Sequence, residues 1–179
     1  MHHDNKSIKP SSTTITFRIS KEYENKLRKK AKEQRISLNT LANQIFQDYL
    51  ESREFINKFG TVVFSREAFK MILNSLTPED IEQLGKSIGK TAPKEFILFK
   101  WKEITTDTTL KFIKMFTIHC IDCEYDHESK SDQQIFSIRH EFGEKGSIFL
   151  KNYFESVVLE NLHKRCNVNS TNNLVTITF

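Results

Sequence analysis

Residues 13–19 read TTITFRI, and they alternate without a break. Ile15, Phe17 and Ile19 fall on one side, Thr14, Thr16 and Arg18 on the other. A period of two, rich in β-branched residues, predicts one short strand with a dry face and a polar face. The segment after it is helical in pattern, so the strand has no neighbour of its own to pair with. Its backbone groups must be met elsewhere, most simply by the same strand of a second copy. Ser20 is placed to cap a first helix carrying Tyr23, Leu27 and Ala31, with Arg28, Lys29, Lys30 and Lys32 on its solvated face. Ser37 is a second cap. The helix behind it bears Leu38, Leu41, Ala42, Ile45, Phe46, Tyr49 and Leu50 on a broad apolar stripe. One strand and two short helices cannot enclose a core, whereas two copies can.

This order of strand, Ser, helix, turn, Ser and helix resembles the ribbon-helix-helix family of the Arc and MetJ repressors, β-ribbon readers of DNA. The resemblance covers about the first third of the chain. It implies an intertwined homodimer bound to double-stranded DNA, with Thr14, Thr16 and Arg18 contacting bases in the major groove. It further implies a phosphate held by Ser37 and the amides of Leu38 and Asn39, at the positive end of a helix. Many members carry Gly at a left-handed position in the turn. Here Arg35 stands there, at a cost of about 1 kcal/mol.

The charge distribution agrees with an anionic partner. Net charge is +4, and residues 1–55 carry all of it, with 11 Lys and Arg against 7 Asp and Glu. Residues 56–179 balance at 16 of each. No run of 18 apolar residues is present, so no membrane span is expected. The leader, residues 1–12, is polar, has no signal-peptide core, and is expected to be disordered. Three cysteines without a secretion signal point to free thiols and a cytoplasmic location.

Helix two is expected to run on toward Lys58, with Phe55, Ile56 and Phe59 starting a new apolar set. Gly60, the first glycine, marks the expected boundary between a domain of residues 13–59 and one of residues 60–179. The second part opens with a predicted strand at residues 61–64 and a helix burying Phe69, Ile72, Leu73 and Leu76. Thr77-Pro78-Glu79-Asp80 is a strong helix start. That helix is expected to end near Gly89, with Pro93 opening another and Thr106-Asp107 a third. Residues 118–127 and 134–142 read as an antiparallel pair, residues 145–164 as the longest helix, and Val168 and residues 174–179 as closing strands. The second domain is therefore α+β, with a small, mostly antiparallel sheet. The long helix is apolar beyond one stripe, so it is either buried on two sides or forms a second self-association surface, giving a dimer or a tetramer.

Chemistry is sparse. His119, Cys120, Cys123 and His127 invite a metal reading, with His140, His163 and Cys166 as supplements. In a strand, however, Cys120 and Cys123 face opposite sides, and His119, Cys123 and His127 stand about 13 Å from one to the next, while zinc needs ligands within about 2.3 Å. We expect no metal and no cofactor; Cys120, Cys123 and His127 would be the first ligands to suspect. No nucleophile elbow, phosphate loop or HExxH helix is present, so no enzyme is expected. The sequence thus describes a DNA-binding transcriptional regulator of the repressor kind, with an unknown effector. The alternatives are an antitoxin-type autoregulator, and a ligand-binding or partner-binding protein whose N-terminal strand serves only to dimerise it.

Overall fold

The computed structural model describes residues 13–53, 62–130 and 133–179. The leader, Gly60, and the apolar set Phe55, Ile56 and Phe59 lie outside the described residues. The chain divides into two compact units, the first ending at Tyr49 and the second starting at Leu50.

In the first unit, α1 (Lys21–Glu33) and α2 (Leu38–Asp48) begin where the caps predict. The Ser20 hydroxyl accepts from the Tyr23 amide at 3.3 Å, and the Ser37 hydroxyl from the Thr40 amide at 2.9 Å. Each satisfies one amide that the first turn leaves without an intrahelical partner. Between the helices Arg35 adopts φ +56°, the left-handed geometry expected at that position. Ala31 and Leu41 are the buried apolar residues of this unit. Beyond α2 the chain widens into a π-helical turn, Tyr49–Arg53.

The second unit contains α3 (Arg66–Asn74), α4 (Pro78–Trp101), α5 (Thr106–Met115), α6 (Gly143–Leu162) and four strands. The strands are β1 (Glu124–Lys130), β2 (Gln133–Arg139), β3 (Asn167–Thr171) and β4 (Leu174–Thr178). They form one antiparallel sheet in the order β1-β2-β4-β3. Phe136 and Ile138 of β2 alternate with exposed or half-buried neighbours, as do Val175 and Ile177 of β4; all four are fully buried in the core that α6 shares. The α+β expectation holds for this unit.

Several sequence expectations need correcting. Residues 62–64 carry no strand. Residues 118–120, expected as the start of a strand, instead fall in a π-helical turn, Phe116–Cys120, that extends α5, and β1 begins only at Glu124. Gly89 and Pro93 do not divide a helix: α4 runs 24 residues through both. A Cβ at Gly89 would lie 2.4 Å from the Tyr153 carbonyl oxygen, so this glycine lets α4 approach α6 rather than ending a helix. The interior proline costs about 3 kcal/mol, which that close packing offsets. Finally, α6 is buried by its own chain: Phe154, Val157 and Val158 are fully enclosed. Its excess of apolar residues therefore needs no second copy, and the case for a tetramer built on this helix falls away.

Two polar devices tie the helices to the sheet end of this unit. The Lys145 ammonium of α6 donates to the Asn74 and Leu76 carbonyls at 3.0 and 2.6 Å, closing the end of α3. His140 is buried, and its Nδ1 accepts from the Phe142 amide at 3.2 Å while its Nε2 meets the Ser147 hydroxyl at 2.9 Å. Ser147 donates in turn to the Thr171 carbonyl at 2.5 Å, so it must accept from His140. The ring is thereby set as the neutral Nε2–H tautomer. Burial pushes His140 down to about 4.

Candidate functional site

The first unit carries the residues from which the sequence builds a nucleic-acid interface. Residues 13–20 are all exposed and form no strand. The first regular element of the described chain is thus a helix. The predicted strand has nothing to pair with inside one chain, and a strand without a ladder is not formed. Its two rows nevertheless differ in their surroundings. Phe17 packs on Phe46 of α2, ring centroids 5.4 Å apart and tilted by 37°. Even so, Ile15, Phe17 and Ile19 remain 68%, 58% and 50% exposed, and Ile45, Phe46, Tyr49 and Leu50 are also exposed. Uncovered apolar surface of this kind is a common feature of interaction faces. Thr14, Thr16 and Arg18 share the exposure of the segment.

At the start of α2 the Ser37 hydroxyl serves its own helix, bonding the Thr40 amide and, at 2.7 Å, the Thr40 hydroxyl. The amides of Leu38 and Asn39 precede that cap bond in the first turn, where a helix leaves its donors free of intrahelical partners. On α1, Glu24 is held below the ordinary carboxylate range by hydrogen bonds from Lys21 and Arg28. Lys21 and, on the basic face, Arg28 are therefore already paired, at 2.7 and 2.9 Å.

The metal candidates come apart. Cys120 closes the π-helical turn after α5, Cys123 follows it, and His127 sits on β1. The Cys123 thiol donates to the Ile121 carbonyl at 3.3 Å, and His127 Nε2 meets the Gln134 side-chain oxygen at 2.8 Å. Desolvation pushes Cys120 up to about 11 and Cys123 up to about 12, so neither sulfur offers a thiolate near neutral pH. Among the described residues no group of three His, Cys, Asp or Glu side chains is close enough to hold a metal ion. No helix of the described residues is long and apolar enough to cross a membrane.

Sequence reasoning missed a cavity of about 730 Å³ in the second unit, whose lining includes six phenylalanines. At its edge Arg66 bonds Asp122 at 2.5 Å and Glu141 at 3.0 Å, linking α3 to two distant loops. The one signal available was compositional: 15 Phe against a single Trp.

Residues 5–46 of the chain match the HicB family, a span well short of half its length. No curated protein and no solved structure matches the chain. The family match falls on the very residues that resemble the Arc and MetJ repressors, and it assigns them differently. Together with the helical start of the chain, it overturns that resemblance.

Proposed function

We propose that this chain is an antitoxin-type regulator that binds double-stranded DNA as a homodimer through its first unit and meets a toxin through its second. The observation that carries the reading is the match of residues 5–46 to HicB, the antitoxin of the HicAB system, which pairs with a HicA toxin. The uncovered row Ile15, Phe17 and Ile19, continued by the exposed apolar residues of α2, supports self-association of the first unit. The net charge of residues 1–55 supports DNA as its partner. On this reading Arg18 contacts a guanine edge, Thr14 and Thr16 make shorter contacts, and Ser37 with the amides of Leu38 and Asn39 holds a phosphate. The chain acts by binding, not by catalysis. Because the second unit has a closed core, the toxin would meet a folded surface rather than a tail that orders on contact.

Retention of fragments from the source genome by the intact protein, measured at 50 and 200 mM salt, tests the DNA half. Six or more phosphate contacts lose about three orders of magnitude in affinity over that range. The toxin half is read by growth: co-expression with a HicA-type toxin from the same genome is expected to restore it. A protein that neither retains DNA nor relieves toxicity is not this regulator.

A further inference from the structure

Among the described residues the cavity of the second unit is lined by residues between 62 and 153: core side chains, among them Phe69, Phe96, Phe112, Phe142 and Tyr153, and the exposed Val62, Val63 and Phe64. Protein interiors are close-packed, and a void forfeits the dispersion contacts of its lining. A space of about 730 Å³ falls within the range that small-molecule sites occupy. We infer that the second unit binds a neutral, mostly apolar small molecule in this cavity, anchored by one hydrogen bond to the Tyr153 hydroxyl.

The anchor follows from what Tyr153 lacks. It lies on α6, is 2% exposed, and its ring stacks on Phe116 at 4.8 Å and on Phe149 at 5.8 Å. Those contacts need only a phenyl ring. The hydroxyl has no hydrogen-bond partner among the described residues, and it is not one of the fully buried atoms left unpartnered, which belong to Thr109, Thr117 and Asn161. It is therefore reached from the cavity, where a ligand with one polar atom can take the place of water on it. The wall also sets the ligand's charge. Its charged members are Arg66 and Asp122, and they bond each other, with Glu141 taking a second guanidinium nitrogen. One guanidinium shared between two carboxylates leaves no free cation in this cluster to match an anionic ligand, and one negative charge in excess that disfavours it further. Cys120 also lines the space, and its desolvated thiol is no nucleophile at neutral pH, so the site holds its ligand without a covalent bond. This inference stands apart from the antitoxin reading, since no residue of the first unit takes part.

The test is a fluorescence titration of the full chain with N-phenyl-1-naphthylamine, a neutral diaryl amine with a single N–H. Saturable binding of one probe per chain is expected. Ala92→Trp, at an exposed position of the cavity lining, is expected to abolish it with the far-ultraviolet circular dichroism unchanged. Tyr153→Phe is expected to weaken the probe about tenfold while the thermal midpoint holds or rises. The anionic analogue 1-anilinonaphthalene-8-sulfonate is expected to bind at least about tenfold more weakly than the neutral probe, because no free cation faces it. Absent or non-saturable binding, or binding that survives Ala92→Trp, overturns the site. Unchanged affinity in Tyr153→Phe overturns the anchor, and tighter binding of the anion overturns the neutral class.

Discussion

The two units of this chain solve the same problem in opposite ways. The first displays its large apolar side chains and buries Ala31 and Leu41. The second gathers Leu73, Ile81, Phe136, Phe154, Val157, Ile177 and their neighbours into one continuous core. Length is the reason. Two helices of 13 and 11 residues present one apolar stripe each and have too few faces to cover both. Three helices and a four-stranded sheet around α6 do have enough. The first unit thus leaves much of its apolar surface uncovered, while the second has a core of its own with a cavity beside it.

Core truncation in the second unit is expected to have the largest effect. Phe154→Ala removes a fully enclosed ring that touches Phe116, Phe136 and Tyr153. It should cost about 3–5 kcal/mol in chemical denaturation. A loss below about 1 kcal/mol would mean that the core around α6 is not formed as described.

Phe17→Ala sharpens the contrast from the other side. In an isolated chain this exposed ring matters little, within about 0.5 kcal/mol. Covered by a second copy it should cost roughly 2 kcal/mol per chain, and the unfolding midpoint should become dependent on protein concentration. Sedimentation that stays monomeric at every concentration would show that the apolar row has another role.

His140 supplies a pH dependence confined to the second unit. Its folded value is depressed to about 4 from an ordinary 6.5 because the ring is buried. The unfolded chain therefore binds the proton more readily. Its contribution is present above about pH 6.5 and is lost progressively as pH falls toward 4. Between pH 7 and pH 5 the loss should be roughly 1–2 kcal/mol. His140→Gln should flatten that slope in pH-resolved denaturation curves; a slope identical to that of the unaltered protein would assign it to other groups.

Arg18→Ala is expected to do least to stability, within about 0.5 kcal/mol, because the side chain is exposed in the first unit. Its effect belongs to binding: about 1–3 kcal/mol less affinity for the retained DNA fragment, by fluorescence anisotropy. Equal affinity would remove Arg18 from the interface.

Local chemistry was readable where the cause is local. The caps at Ser20, Ser37 and Thr77 start helices because a hydroxyl three residues from an orphan amide can satisfy it in any context. The left-handed turn at Arg35 and the alternating strands β2 and β4 were legible for the same reason. Gly89 and Pro93 misled because their usual meaning is local and their meaning here is not: only the approach of α6 turns a break signal into a contact surface. The period of two in residues 13–19 survives as an apolar row, yet no strand forms, since a ladder requires a second backbone that one chain does not contain.

By itself, then, the sequence determined the helix starts, the α+β character of the second unit and the concentration of positive charge in the first. The tertiary structure alone decided that α4 is continuous, that the excess apolar surface of α6 is spent within its own chain, and that the aromatic residues enclose a cavity. Caps, periodicity and charge act over a few residues. A void, a helix contact and an unpaired Tyr153 hydroxyl depend on which distant segments meet, and that is settled only when the whole chain packs.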